Sequence, residues 1–315
     1  MRLAAIFPGQ GSQGVGMGGD VARNVPAAAD LFARAERILG YDLLRLVREG
    51  PEEVLRETRY SQPAIFVTNY ALAVAAGIES GVVASAGHSF AEFCSLTLAG
   101  ALDFDEAVLL VRERGLAMQD AAEVAPGGMA AVLGLGAAEL AAALAGARNA
   151  GRVQAANFNA PGQIVISGDR AAVARAGELA LEAGAKRVVT LNVSGAWHSE
   201  LMAPARERFA PVVARAALRM PRFTVISNVD GLPYRDVDTI RTNLVRSVTD
   251  EVLWHATAER LVAENVDLIV EFGGSAVLAP MLKRLPSAPR SLHVGDEKGL
   301  GRLAAALALE GAAAG

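Results

Sequence analysis

Short apolar runs alternate with helical patterns along the chain. Residues 3–7, Leu-Ala-Ala-Ile-Phe, are continuously apolar and stop at Pro8-Gly9, as a buried first strand does. Residues 21–60 read as helices in pieces. Pro26 suits a first helical turn, residues 27–39 keep apolar positions at helical spacing, Gly40 ends them, and residues 52–57 form a short helix. Residues 62–77 predict a long apolar helix with Pro63 in its first turn. Residues 81–86 are apolar and β-prone, 93–98 can continue as a helix, and 103–120 form another.

The pattern changes between 124 and 194. Strand 129–133, helix 137–144, strand 153–157, a turn at 157–162, strand 163–167, helix 170–183 and strand 186–193 follow one another. That order, β-α-β-β-α-β, is ferredoxin-like. It predicts a small subdomain at 125–194 inserted into a larger α/β one made of 1–124 and 195–315. The remainder reads as a helix to about 217, a strand at 223–228, helices at 238–246 and 251–265, a strand at 268–272, a helix at 276–284 and an alanine-rich helix with a frayed tail at 301–315.

Composition narrows the class. The 315 residues suffice for a large core and one or two domains. No apolar run reaches the ~18–20 residues of a membrane span. The N-terminus is too short for a signal peptide before its Pro-Gly turn. Cys94 is the single cysteine, which excludes an intrachain disulfide and a multi-cysteine zinc site and fits a reducing cytoplasm. The net charge of −4 argues against a general nucleic-acid binder.

Candidate chemistry centres on Gly87-His88-Ser89-Phe90-Ala91-Glu92, between a predicted strand and a predicted helix. A serine on such a corner has its oxygen pushed clear of the backbone, with helix N–H groups facing any charge that forms there. Ala91 stands where the usual G-x-S-x-G has glycine, so a buried turn serine competes with a nucleophile. The glycine-rich stretch 8–18 lacks phosphate-loop and dinucleotide spacing. Its Gln10 and Gln13 favour a site loop over a plain surface loop. Of four histidines, His88 adjoins Ser89 and projects elsewhere, and His255 and His293 have no catalytic context. His198, in Gly195-Ala196-Trp197-His198, follows a predicted strand, where an open α/β sheet places its active site. No acidic third member is evident. Arg112 and Arg114 on the 103–120 helix read first as solvated or ion-paired surface arginines.

Five motifs in order carry a resemblance: Phe7 to Gln13, Gly87-His88-Ser89, Arg114-Gly115 with Met118-Gln119, Asn157 to Gly168, and Gly195 to Met202. Together they resemble the malonyl-CoA:acyl carrier protein transacylases over nearly the whole chain. The resemblance implies an α/β-hydrolase-like large subdomain with a ferredoxin-like insertion. It implies Ser89 as nucleophile, His198 as base, the backbone N–H groups of Gln10 and Phe90 as oxyanion hole, and Arg114 as the cation for the free malonyl carboxylate. Asn159 would line the pocket. A backbone carbonyl near Ser247 would orient the histidine, which accounts for the missing acid. Trp197 stands where phenylalanine is usual and leaves little room for a branch on the acyl group.

The implied reaction is ping-pong transfer of malonyl from coenzyme A, through a malonyl-serine, to the phosphopantetheine thiol of an acyl carrier protein. It calls for no metal and no tightly bound cofactor, no nucleic acid and no membrane, and for a monomer in the cytoplasm. Carrier docking is expected at Lys186, Arg187, Lys283 and Arg284. Two alternatives stay open on the sequence: an acyl hydrolase clearing carrier proteins, and a non-catalytic docking module.

Overall fold

The computed structural model describes residues 1–313, so the tail expected to reach 315 extends outside the described residues. Among these residues the strands are β1 (Leu3–Phe7), β2 (Val82–Gly87), β3 (Gly128–Leu133), β4 (Val153–Ala160), β5 (Gln163–Gly168), β6 (Arg187–Thr190), β7 (Thr224–Val225), β8 (Leu268–Phe272) and β9 (Arg290–Val294). They form two sheets, one of five strands in the order β7-β2-β1-β8-β9 and one of four in the order β4-β5-β3-β6. The first is parallel throughout. The second is antiparallel throughout, with its strands in ferredoxin-like order.

β1 is central, and all five of its residues are buried. Leu3, Ala5 and Phe7 face one core, with Phe32, Phe66 and Phe93; Ala4 and Ile6 face another, with Trp254, Leu261 and Leu278. A parallel strand covered on both faces must be apolar throughout, hence its unbroken run. Each fully buried Leu, Ile or Phe side chain contributes about 1.5–3 kcal/mol. On the first face, helix Thr58–Ala76 packs against helix Phe104–Val124, and the rings of Tyr70 and Phe104 stack at 5.4 Å.

Several elements depart from the sequence reading. The helix expected from 62 starts at Thr58, which puts Pro63 inside it rather than in its first turn; nine consecutive buried residues from Ser61 to Asn69 outweigh the lost N–H bond. The turn expected at 157–162 is mostly strand. β4 runs to Ala160, bulging near Ala156 and Asn159 as it pairs with β5, and only Pro161-Gly162 turns. β6 is four residues long instead of eight, and β7 two instead of six. The 276–284 helix shrinks to Ala279–Leu282. β9, an edge strand, was not expected: its Arg-Ser-Leu-His-Val is only partly buried and lacks a core strand's apolar run.

Candidate active site

The carboxyl ends of β1 and β2 meet at a single corner. The His88 N–H donates to the Phe7 carbonyl at 2.9 Å and ties the two strand ends together. Gly87 is required there, since a Cβ on it would lie 2.0 Å from the Ala91 carbonyl oxygen. Ser89 follows with φ of 57°, the left-handed region that non-glycine residues adopt only when their surroundings hold them there. A short 3₁₀ turn, Ser89–Ala91, leads into helix Glu92–Leu98. Ala91 is fully buried at right-handed helical angles, so its methyl needs no glycine.

His198 reaches this corner from the segment after β6. It too has φ of 57°, within a turn braced by the Ser199 hydroxyl donating to the Ala196 carbonyl at 2.7 Å. Ser89 Oγ and His198 Nε2 are 2.8 Å apart, and His198 Nδ1 is 3.0 Å from the Asp250 carbonyl oxygen. A carbonyl only accepts, so Nδ1 carries the ring proton and Nε2 is the acceptor for the serine hydroxyl. The His198 pKa is lowered to about 3, by burial first, then by the Arg114 charge and His88; the Asp250 and Ser247 carbonyls oppose the shift. The ring is therefore neutral, with Nε2 facing the serine hydroxyl.

The carbonyl 3.0 Å from His198 Nδ1 is that of Asp250, three residues past the expected Ser247, whose own carbonyl also acts on the ring. Helix Val237–Arg246 ends in a turn in which the Thr249 and Asp250 N–H groups both return to the Arg246 carbonyl, and this carries the chain back toward the histidine three residues later than ungapped spacing suggests. The Ser247 carbonyl also takes Arg114 Nη2 at 3.3 Å.

Arg114 is only 1% exposed, yet no carboxylate touches it. Its Nη1 donates to Gln62 Oε1 at 3.0 Å, and its Nε has no partner. Burial pulls its pKa down to about 9, partly countered by the Glu92 charge. A desolvated, incompletely paired guanidinium is a strong attractor for an anion. A cavity of about 720 Å³ opens onto it, lined also by Gln10, Ser89, Met118, Trp197 and His198. The N–H groups of Gln10 and Phe90 are claimed by no acceptor among the described residues.

Asn159 does not line this cavity. Its Oδ1 lies 3.0 Å from His88 Nε2, on the neighbour of the nucleophile, while Asn157 supplies the wall. The bulges in β4 set which asparagine faces in. Sequence reasoning passed over Gln62, Asp250 and Asn228, which accepts the Ser89 N–H at 2.6 Å. Gln62, a polar residue opening an apolar helical run, carried a usable signal. Asp250 acts through its carbonyl and carried none.

Comparison with known proteins agrees with this geometry. The model of the acyl transferase domain matches residues 5–285. The malonyl CoA-acyl carrier protein transacylase of Escherichia coli strain K12 is 40% identical over 286 residues, 90% of this chain and 93% of that one. The crystal structure of an acyl carrier protein S-malonyltransferase from Vibrio cholerae superposes with a TM-score of 0.91 at 38% identity, covering 96% of this chain and all of that one. A malonyl-transacylase solved in complex with a type II polyketide acyl carrier protein has a TM-score of 0.91 at 37% identity, covering 95% and 98%.

Proposed function

Because the chain belongs to the acyl transferase domain family, among the malonyl-CoA:acyl carrier protein transacylases, we propose a role in malonyl transfer for each group of the site. The protein is an acyltransferase that moves malonyl from malonyl-CoA to the phosphopantetheine thiol of an acyl carrier protein. Ser89 is the nucleophile and His198 the general base. Nε2 takes the hydroxyl proton as Oγ bonds to the thioester carbon, and the carbonyl oxygen becomes an oxyanion facing the Gln10 and Phe90 N–H groups. Collapse breaks the carbon–sulfur bond, and His198 gives its proton to the departing sulfur, so coenzyme A leaves as the thiol and the imidazole is neutral again. In the second half-reaction the carrier thiol gives its proton to His198 and attacks the malonyl ester, and Ser89 leaves reprotonated.

Arg114 receives the malonyl carboxylate on its two outer nitrogens. Trp197, 5% exposed in the cavity wall, limits branching on the acyl group. We assign residues 125–194 as the inserted unit on the strength of the second sheet, which lies wholly within them. This chemistry requires no metal and no tightly bound cofactor. No helix among the described residues is long and apolar enough to cross a membrane, and we place the reaction in the cytoplasm.

The observation that carries this reading is the Ser89–His198–Asp250 relay beside a buried arginine with no carboxylate of its own. A hydrolase for uncharged acyl groups gains nothing from that cation. Ser89→Ala should leave the fold intact and give no malonyl adduct in intact-mass spectrometry after mixing with malonyl-CoA. An adduct on the variant would remove Ser89 from the role.

A further inference from the structure

Behind the nucleophile lies a second polar network that the transfer chemistry does not use. The Ser89 N–H donates to Asn228 Oδ1 at 2.6 Å. The Asn228 N–H donates to Glu92 Oε2 at 2.9 Å, and the Tyr234 hydroxyl donates to Glu92 Oε1. The Asn228 carbonyl accepts the Leu253 N–H at 2.8 Å. Asn228, Glu92 and Tyr234 are all buried. Three chain segments thus converge on one backbone N–H.

We propose that Asn228 is a positioning residue for the nucleophile: its carboxamide oxygen holds the left-handed Ser89 by its N–H, and Glu92 with Tyr234 holds the segment that carries Asn228. The inference rests on Ser89 acting as assigned above.

Three successive N–H groups crowd the corner. That of His88 is bound to Phe7, that of Ser89 to Asn228, and that of Phe90 is unclaimed. The arrangement leaves one elbow N–H for an oxyanion and keeps the others from competing or turning. A φ of 57° at a residue with a Cβ relaxes unless neighbours fix it, and a change there swings Oγ away from His198. Both bonds onto the Glu92 carboxyl come from donors, so the carboxylate is the form that fits, although burial pushes its pKa up to about 7. Asn228 Nδ2 has no partner. The site therefore uses the acceptor half of this amide.

The test compares Asn228→Leu, close in size but lacking the acceptor, Asn228→Asp, which keeps an acceptor at the same reach, and Tyr234→Phe. Malonyl-serine formation is timed by quenched-flow mass spectrometry, alongside kcat and KM for malonyl-CoA. Asn228→Leu should slow acylation about 100-fold, the scale of a misplaced reacting group, with KM within about threefold because Arg114 and Trp197 are untouched. Asn228→Asp should recover at least about tenfold of that loss, and Tyr234→Phe should slow acylation by about threefold or more at unchanged KM. Acylation by Asn228→Leu within about threefold of wild type overturns the proposal, as does an Asp variant no faster than Leu. If the Leu variant does not fold, full-speed acylation by Tyr234→Phe overturns it. A wild-type protein that forms no adduct on Ser89 instead defeats the assignment on which the inference rests.

Discussion

On the proposed reading, Arg114 selects the substrate, and its charge also weakens the base. Its outer nitrogens can grip a carboxylate by two parallel bonds, a geometry lysine cannot copy. Truncating it should cost about 2–5 kcal/mol, much of that from leaving the malonyl charge unpaired. At about 1.36 kcal/mol per decade this is roughly 30- to several-thousand-fold in kcat/KM for malonyl-CoA. Acetyl-CoA has no such charge, so Arg114→Ala should keep or gain acetyl transfer. An unchanged ratio of the two kcat/KM values would reduce Arg114 to a structural residue.

The same cation makes the pH profile a test of the site. Burial and the Arg114 charge both disfavour the imidazolium, so His198 takes up a proton only as pH falls to about 3. Acylation by wild type should therefore show no acid limb near the ordinary histidine value of about 6.5. Removing Arg114 removes the second of the causes, so the histidine pKa rises, and Arg114→Ala assayed with acetyl-CoA should show its acid limb at higher pH than wild type. Coincident limbs would contradict the coupling between the two residues.

Among the elements, the strand-to-helix corner tolerates least change at its first residue. Gly87→Ala drives a methyl into the Ala91 carbonyl and must open the corner, whereas Ala91→Gly removes a buried methyl without relieving any clash. Gly87→Ala should lose acylation and destabilise by several kcal/mol, on the order of the larger single-site effects. Ala91→Gly should keep acylation and lose about 1 kcal/mol. Thermal melts with adduct formation check both, and equal behaviour of the two would refute this account.

The contrast explains which elements were legible in the sequence. β1 announces itself because burial on both faces demands an unbroken apolar run; β2 and β8 remain mostly apolar around one buried polar residue each, Ser85 and Glu271, and Gly87-His88-Ser89 stands out at the end of β2. β9, covered only in part, carries no such run. Asn157 to Gly162 has turn-forming residues, yet pairing with β5 overrides their preference as far as Ala160. Ser89 and His198 were legible through side chains that chemistry needs. Asp250 was not, because a carbonyl belongs to every residue, and Asn228 was not, because its partner is a backbone N–H.

For the whole molecule, charge around the cavity mouth is lopsided. Glu52, Glu53 and Glu57 line one side; Arg56 pairs with the first and Arg59 with the last. A phosphate-bearing arm is favoured wherever exposed cations stand free. Lys186, Arg187, Lys283 and Arg284 are exposed, and none forms an ion pair among the described residues. Reversing the charge at both pairs should raise KM for carrier protein and leave KM for malonyl-CoA unchanged. An unaltered carrier KM would remove them from the interface.

The bond from Asp250 to His198 has a further consequence. Two residues beyond Asp250, Val252 is stitched to β4: its N–H donates to the Ala156 carbonyl, and its carbonyl accepts the Phe158 N–H, both at 2.8 Å. The base is thus steadied by a segment laced to the small sheet, while the nucleophile belongs to the large one. The same stretch also reaches the nucleophile, since the Leu253 N–H donates to the carbonyl of Asn228, so a few residues of backbone link base, corner and small sheet.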